Sequence, residues 1–472
     1  MSEANKQQDV VSKVTQGGYC IGCGACAHLS TAVSMQANRY GQLIPVVTED
    51  GLSNTENDTI AKVCPSGPAG LNEDQIAELH FGTLPRNSRI GHFDKVFAGK
   101  VTTGEFYQKA SSGGIGKWLL TRLLELGDVD YVIQVTEDQR PNERGLSYFY
   151  KVFSKTEEIK TGSKSAYYPI ELSEVLDFVR QNPGRYAITG IPCFIKTIRR
   201  LCEQDSELKQ RIKFTLGVVC GHLKTKAFAE LIGWQLGVKP DELATVDFRE
   251  KLPGKKANQK GVRATRLDGS QSDSEIVQNL FGTNYGHGLF KYNACDFCDD
   301  VLAETADVAV GDAWLPQYMH GGTSLVVTRN KRITEILAQY RDIEVQLDEL
   351  TDTDAANSQA AGLRHRREYL SYRLLLKQQA GHWAPLKRVL PADAHLTRNQ
   401  KRIVVLRSQI SDKSHELFAK AKELNDLSYL KKHLLPLMEE MHDLRLSGWK
   451  FLLVRFLRTV KVYDLLARYK KK

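Results

Sequence analysis

The sequence predicts a mixed α/β protein in three parts: a small cysteine-rich unit over residues 1–90, an α/β unit over 91–330 and a helical extension over 331–472. Three observations carry this reading. Cysteines interleaved with glycines crowd one short run near the start, strand-like stretches alternate with amphipathic ones from 128 to 310, and Leu and Ile recur among Lys, Arg and Glu from Glu368 onward. Alternating strands and helices imply a parallel or mixed sheet. A chain of 472 residues that is 42% hydrophobic has enough apolar surface to bury a large core.

The first part is defined by Gly18-Tyr19-Cys20-Ile21-Gly22-Cys23-Gly24-Ala25-Cys26, with a fourth cysteine in Cys64-Pro65. Three thiolates at every third residue wrap one face of a cubane cluster, and small residues between them let backbone N–H groups turn toward the sulfides. A hairpin is expected around Gly41 and Gly51, after which Cys64 closes the fourth corner. The run is ferredoxin-like, although bacterial ferredoxins place their Cys-Pro three residues on. Four cysteines also suit a structural zinc ion, but zinc ribbons offer two separate C-x-x-C knuckles instead of one tight run.

In the second part, residues 128–135, 186–189, 214–219 and 306–310 read as strands, while 117–125, 170–180, 196–208 and 224–236 read as helices. Cys193 and Cys220 follow two of these strands, at the ends where α/β proteins gather their sites. Cys295 and Cys298 add a C-x-x-C, so four more thiolates are available for a second cluster. Each alone also reads as an ordinary buried thiol, as Cys202 does within its helical pattern. Ala110-Ser111-Ser112-Gly113-Gly114-Ile115-Gly116 opens the 117–125 helix. Such a start suits the pyrophosphate of a flavin or nucleotide, and serves equally as an N-cap without a ligand.

Taken in order, these motifs resemble the beta subunits of coenzyme F-420 hydrogenases and dehydrogenases. That family includes plant 7-hydroxymethyl chlorophyll a reductase and bacterial proteins encoded beside polysaccharide-synthesis enzymes. The resemblance spans about 17–329 and is carried by the Cys20–Cys26 run with Cys64-Pro65, by Ser111-Ser112-Gly113-Gly114, by Gly162-Ser163-Lys164-Ser165-Ala166-Tyr167, by Gly190-Ile191-Pro192-Cys193, by Cys220, and by Cys295-Asp296-Phe297-Cys298 through to Asp312-Ala313-Trp314. It implies an FAD near Ser111, Ser112, Gly113, Gly114, Lys164 and Ser165, and two [4Fe-4S] clusters. One cluster falls to Cys20, Cys23, Cys26 and Cys64, the other to Cys193, Cys220, Cys295 and Cys298. The expected function is an iron–sulfur flavoprotein oxidoreductase acting on a small organic substrate, with ferredoxin or coenzyme F-420 as electron partner. An electron-transfer subunit of a larger complex is the second reading.

Within that reading, Lys164 beside the flavin would stabilise its reduced anion, or would contact phosphate, or face solvent. His222 is a candidate proton donor. Asp312 is expected to bond the flavin or a cluster-bearing loop, or to cap the turn after Val310, and His28 to reach a cluster sulfur. The basic run 251–260 reads as a solvated loop or a docking patch for an acidic donor.

The net charge of +9 is concentrated at the end: from Leu446 to Lys472 there are eight Lys/Arg against Asp464 alone. The remainder is nearly neutral, which argues against a nucleic-acid-binding face. No segment reaches the roughly 18 apolar residues of a spanning helix, and the polar start lacks an h-region, so the expected location is the cytoplasm. Trp449, Leu452, Leu453, Phe456, Val460, Tyr463 and Ala467 share one helical face with basic residues away from it. Such a tail would rest on an anionic membrane surface, or pack on the body of the protein.

Overall fold

Val, Ile, Tyr and Phe recur through the short segments that pleated chain favours. Eight such segments join into one mixed sheet in the computed structural model, which describes residues 9–138, 145–256 and 258–446. The strands are β1 (Lys95–Val101), β2 (Tyr131–Glu137), β3 (Tyr148–Phe153), β4 (Tyr186–Gly190), β5 (Ile212–Val218), β6 (Val308–Asp312), β7 (Ser324–Thr328) and β8 (Val345–Leu350). They lie in the order β8-β1-β7-β6-β5-β4-β2-β3.

The four central strands, β6, β5, β4 and β2, run parallel. Parallel neighbours need crossovers, and the helix Pro192–Gln204 supplies the one between β4 and β5. Proline opens that helix at its first turn, where a missing N–H is harmless. Antiparallel strands flank the core, β3 on one edge and β7, β1 and β8 on the other. Trp118, fully buried on the helix Ile115–Glu125, packs under the sheet and donates its Nε1–H to Glu344 at 2.7 Å.

The N-terminal part is a hairpin, Val33–Ala37 with Leu43–Val47, set among the helices Val10–Gln16, Ala25–Leu29 and Asn54–Val63. Its turn is held by Asn38, whose Oδ1 accepts from the N–H groups of Tyr40 and Gln42. This is the hairpin expected around Gly41.

The predicted mixed α/β core and helical C-terminal region are both present, with one shift of boundary. The region expected to be helical from 331 opens on the helix Lys331–Gln339 but then returns a strand, β8, to the sheet, because Val345 and Leu347 are buried at alternate positions and pair with Val101 and Gly99 of β1. Six residues of alternation among acidic neighbours left no clear strand signal. The later helices do not stand apart either. Ile403, Leu406, Ile410 and Phe418 of Arg398–Leu424, with Leu430 and Leu434 of Leu427–Asp443, share a core with Phe228 and Leu231 of the helix Lys226–Gln235. Among the described residues no helix is long and apolar enough to cross a membrane. The basic amphipathic stretch from Trp449 onward lies outside them.

Candidate functional site

Gly22 sits between two cysteines with φ 68°, a left-handed conformation open to glycine at little cost. A Cβ there would lie 2.7 Å from the Leu43 carbonyl. The turn points the Gly22 N–H at Cys20 Sγ, 3.3 Å away. Cys20, Cys23, Cys26 and Cys64 then line one cavity, walled by apolar groups that include Val10, Val14, Tyr19, Ile60 and Val63. Burial, and after it the charge of neighbouring thiols, pushes the pKa of Cys20, Cys23 and Cys26 up, that of Cys23 to about 12. Burial raises Cys64 as well. Thiols so placed ionise only against a compensating cation, as the irons of a cluster provide. Arg200 wraps the Cys64 turn, donating to the carbonyls of Cys64, Leu71 and Gly70.

The other four come from separate places in the chain. Cys193 lies in the first turn of the helix after β4, Cys220 lies just beyond β5, Cys295 lies within the short 3-10 turn Asn293–Phe297, and Cys298 directly follows it. Burial first, then the charges of Cys298, Cys220 and Cys295, raises Cys193. Here too a backbone N–H faces sulfur, from Leu223 to Cys295 Sγ at 3.2 Å. Cys202, buried beside Arg199 and Glu203, belongs to neither group. Among the described residues, no three Cys, His, Asp or Glu side chains are gathered as ligands of a single metal ion. The fit to a cluster therefore rests on the two sets of four buried or half-buried thiols and on the N–H groups aimed at their sulfurs.

Two contacts join the groups. Thr197 Oγ1 donates to the Cys193 carbonyl at 2.9 Å and lies 3.9 Å from Cys23 Sγ. Tyr19, next to Cys20, meets Phe297, between Cys295 and Cys298, edge to face at 4.8 Å. The helix Pro192–Gln204 thus fixes one group relative to the other.

The Ser/Gly loop lies across the sheet ends. Gly113 has no room for a side chain: a Cβ would stand 2.3 Å from the Gly99 carbonyl and 2.8 Å from Ser324 N. Gly114, at φ 86°, starts the helix Ile115–Glu125. The loop's own polar groups are largely engaged. Ser112 Oγ donates to Thr323 O, Gly113 N–H to Ser324 Oγ, and Ser111 Oγ accepts from Ser165 N–H at 2.9 Å. The charge around the loop comes from lysines. Lys109, Lys117, Lys160 and Lys164 line a cavity with Glu137, Ser165 and Asp247, while Lys251 donates to the carbonyls of Tyr107 and Ser112. Burial and then neighbouring lysines depress Lys251 to about 7 and Lys117 to about 8. Replacing Gly113 by alanine should cost about 1–3 kcal/mol by overpacking, measured as a lowered denaturant midpoint. An unchanged midpoint would show that β1 and β7 yield freely at this point.

Lys164 is an ion-pair partner, its Nζ 2.6 Å from Asp247 Oδ2. Asp312 ends β6 and takes Arg249 Nη2 on both carboxylate oxygens, at 2.9 and 2.7 Å, while Arg249 also reaches Tyr167 and Ser111. His222 is buried and stacks on Tyr285 at 4.5 Å. Burial, then Lys224, Arg407, Lys291 and Arg366, pushes its pKa well down, so it is a neutral imidazole. His28 bonds through Nδ1 to Asp177. The run read as a solvated loop is partly interior: Lys260 is buried and Lys251 is enclosed, because the hairpin Leu243–Glu250/Gly261–Arg266 folds it over the Ser/Gly loop. Sequence reasoning missed Arg200, Arg249 and Arg366, which lie in helices and strands without a motif. Lys117 carried a usable signal, a cation in the first turn after Gly-Gly.

Family models cover most of this architecture. The N-terminal model of the coenzyme F420 hydrogenase/dehydrogenase beta subunit matches residues 96–177, and the C-terminal model matches 184–353. An uncharacterised protein of Methanocaldococcus jannaschii is 25% identical over 239 residues, 49% of this chain and 79% of its own. A chain from a structure of the F420-reducing [NiFe] hydrogenase complex of Methanosarcina barkeri overlays with a TM-score of 0.48 at 16% identity, covering 64% of this chain and 99% of that one. The motif order, the sheet they are mounted on and the two matched models together place the chain in the coenzyme F420 hydrogenase/dehydrogenase beta subunit family.

Proposed function

We propose that the chain is an iron–sulfur flavoprotein oxidoreductase that moves electrons between two [4Fe-4S] clusters and an FAD. The observation that carries it is the gathering of eight of nine cysteines, each buried or half-buried, into two adjoining groups of four. Cys20, Cys23, Cys26 and Cys64 would hold one cluster in a ferredoxin-like N-terminal unit, and Cys193, Cys220, Cys295 and Cys298 the other. The flavin would lie at the Ser111–Gly114 loop within the 91–330 unit. When bound, FAD exchanges electrons in pairs and a cubane cluster one at a time, so together they connect two-electron and one-electron chemistry. The chain's own part is to exclude water with apolar walls, to fix the groups through Pro192–Gln204, and to neutralise a pyrophosphate with Lys109, Lys117, Lys160 and Lys251. Anaerobic purification with iron, sulfide, zinc and flavin analysis tests the proposal. About eight irons and one FAD per chain are expected; a colourless, zinc-bearing protein without flavin overturns it.

The family's description as a beta subunit favours a second reading, an electron-transfer subunit serving a partner enzyme. Turnover of a small organic molecule by the lone chain separates the two. Ferredoxin and coenzyme F-420 are the electron partners to assay.

Seating a pyrophosphate on these lysines has a pH signature. An anion's charge would offset the burial and the neighbouring lysine charges that depress Lys251 and Lys117, so both pKa values rise on binding and protons are taken up. Affinity for ADP or FAD should be highest below about pH 7 and fall as pH rises past 8. Calorimetry at pH 7.5 in buffers of different ionisation enthalpy should read proton uptake, and zero uptake would place the anion elsewhere.

A further inference from the structure

Arg366 ends the helix Ala360–Arg366, beyond the last residue of the matched models and outside every sequence motif, yet it is only 3% exposed. Its Nη1 donates to the Cys295 carbonyl at 2.6 Å, and its Nη2 to Gly221 at 2.5 Å and Cys220 at 3.4 Å. One planar fork thus ties the loop after β5 to the C-x-x-C turn, two segments about 75 residues apart that must meet for their sulfurs to share a ligand. The next two arginines along the chain are matched by carboxylates, Arg367 by Glu304 and Arg373 by Asp296. Every hydrogen bond of Arg366 instead ends on a neutral carbonyl. A buried guanidinium without a counter-charge costs several kcal/mol. The two segments it grips carry Cys220 and Cys295 of the second cysteine group.

We propose that Arg366 is a positioning residue of the second cysteine group, its fork closing Cys220 onto Cys295 and its charge serving as the fixed counter-ion of the thiolate-ligated cluster. This rests on the two-cluster reading above. A positive charge held beside a cluster favours its reduced form, so removing it makes reduction harder. Arg200 holds the Cys64 turn in the same way, but Glu73 also lies within its field, so that guanidinium is shared.

The test compares wild type, Arg366→Lys and Arg366→Gln chains, purified anaerobically, by iron analysis and EPR-monitored redox titration. The signal lost in Cys193→Ala marks the second cluster. Arg366→Gln is expected to keep eight irons and to shift reduction of that cluster at least tenfold toward the oxidised side, about 59 mV for a one-electron couple. The first cluster should stay within twofold, and Arg366→Lys should recover most of the shift. Unchanged equilibria in a fully loaded Arg366→Gln chain overturn the proposal, and so do equal shifts in both variants. If Arg366→Gln sheds the second cluster, retention in Arg366→Lys supports a counter-ion and equal loss refutes it. Four irons in wild type defeats the two-cluster reading itself, before any variant is compared.

Discussion

Replacing Cys64 by alanine is expected to remove about half of the iron, from about eight to about four per chain, and to loosen the N-terminal part. Three short helices and a two-stranded hairpin wall the cavity that Cys64 shares with Cys20, Cys23 and Cys26. The helices are 7, 5 and 10 residues long, too short to persist unaided. A cluster that binds only the native arrangement acts as their staple, worth roughly 3–4 kcal/mol when held a hundred- to a thousandfold beyond its dissociation constant. Hydrogen exchange should therefore quicken across residues 10–63 while the sheet keeps its protection. Cys202→Ala is the control: it should keep all the iron and cost about 1 kcal/mol of packing. Undiminished iron in the Cys64 variant would remove that residue from the ligand set.

Asp307→Ala should destabilise the whole α/β unit by about 3–5 kcal/mol. The Asp307 Oδ2 accepts from Arg199 Nη2 at 2.9 Å, from Thr215 N–H at 2.7 Å and from Thr215 Oγ1 at 2.8 Å, all buried. Arg199 completes the knot by donating from Nε to the Thr305 carbonyl at 2.9 Å. Removing the carboxylate strands a guanidinium in the interior on the helix that carries Cys193 and Thr197, so iron retention should fall along with the melting temperature. The double replacement Arg199→Met/Asp307→Leu should be much milder, since an apolar pair of similar volume avoids burying a lone charge. Equal losses in single and double variants, read by denaturant unfolding, would assign the cost to packing.

The parallel core was legible because each of its strands is a short β-branched run next to an amphipathic helix: 128–135, 186–189, 214–219 and 306–310 were all observed, displaced by only a few residues. The antiparallel strands β1, β3, β7 and β8 went unread. Their pairing is long-range, as in Val345 with Val101, and no local period announces it. The first cysteine group was legible for the opposite reason: three ligands at every third residue meet by local geometry alone.

What the sequence by itself determined is the α/β class, the helical C-terminal region and the family, since periodicity, cysteine spacing and ordered motifs are local properties of the chain. Tertiary structure alone decided which distant residues became neighbours. Cys193 and Cys220 stand at the ends of adjacent parallel strands, Arg366 closes the second group from a helix the motifs never reached, and Lys251 and Lys260 turn inward under the 243–266 hairpin. The physical reason is that burying a charge or a thiol depends on what the whole fold packs around it, and a residue's sequence neighbours carry no record of that.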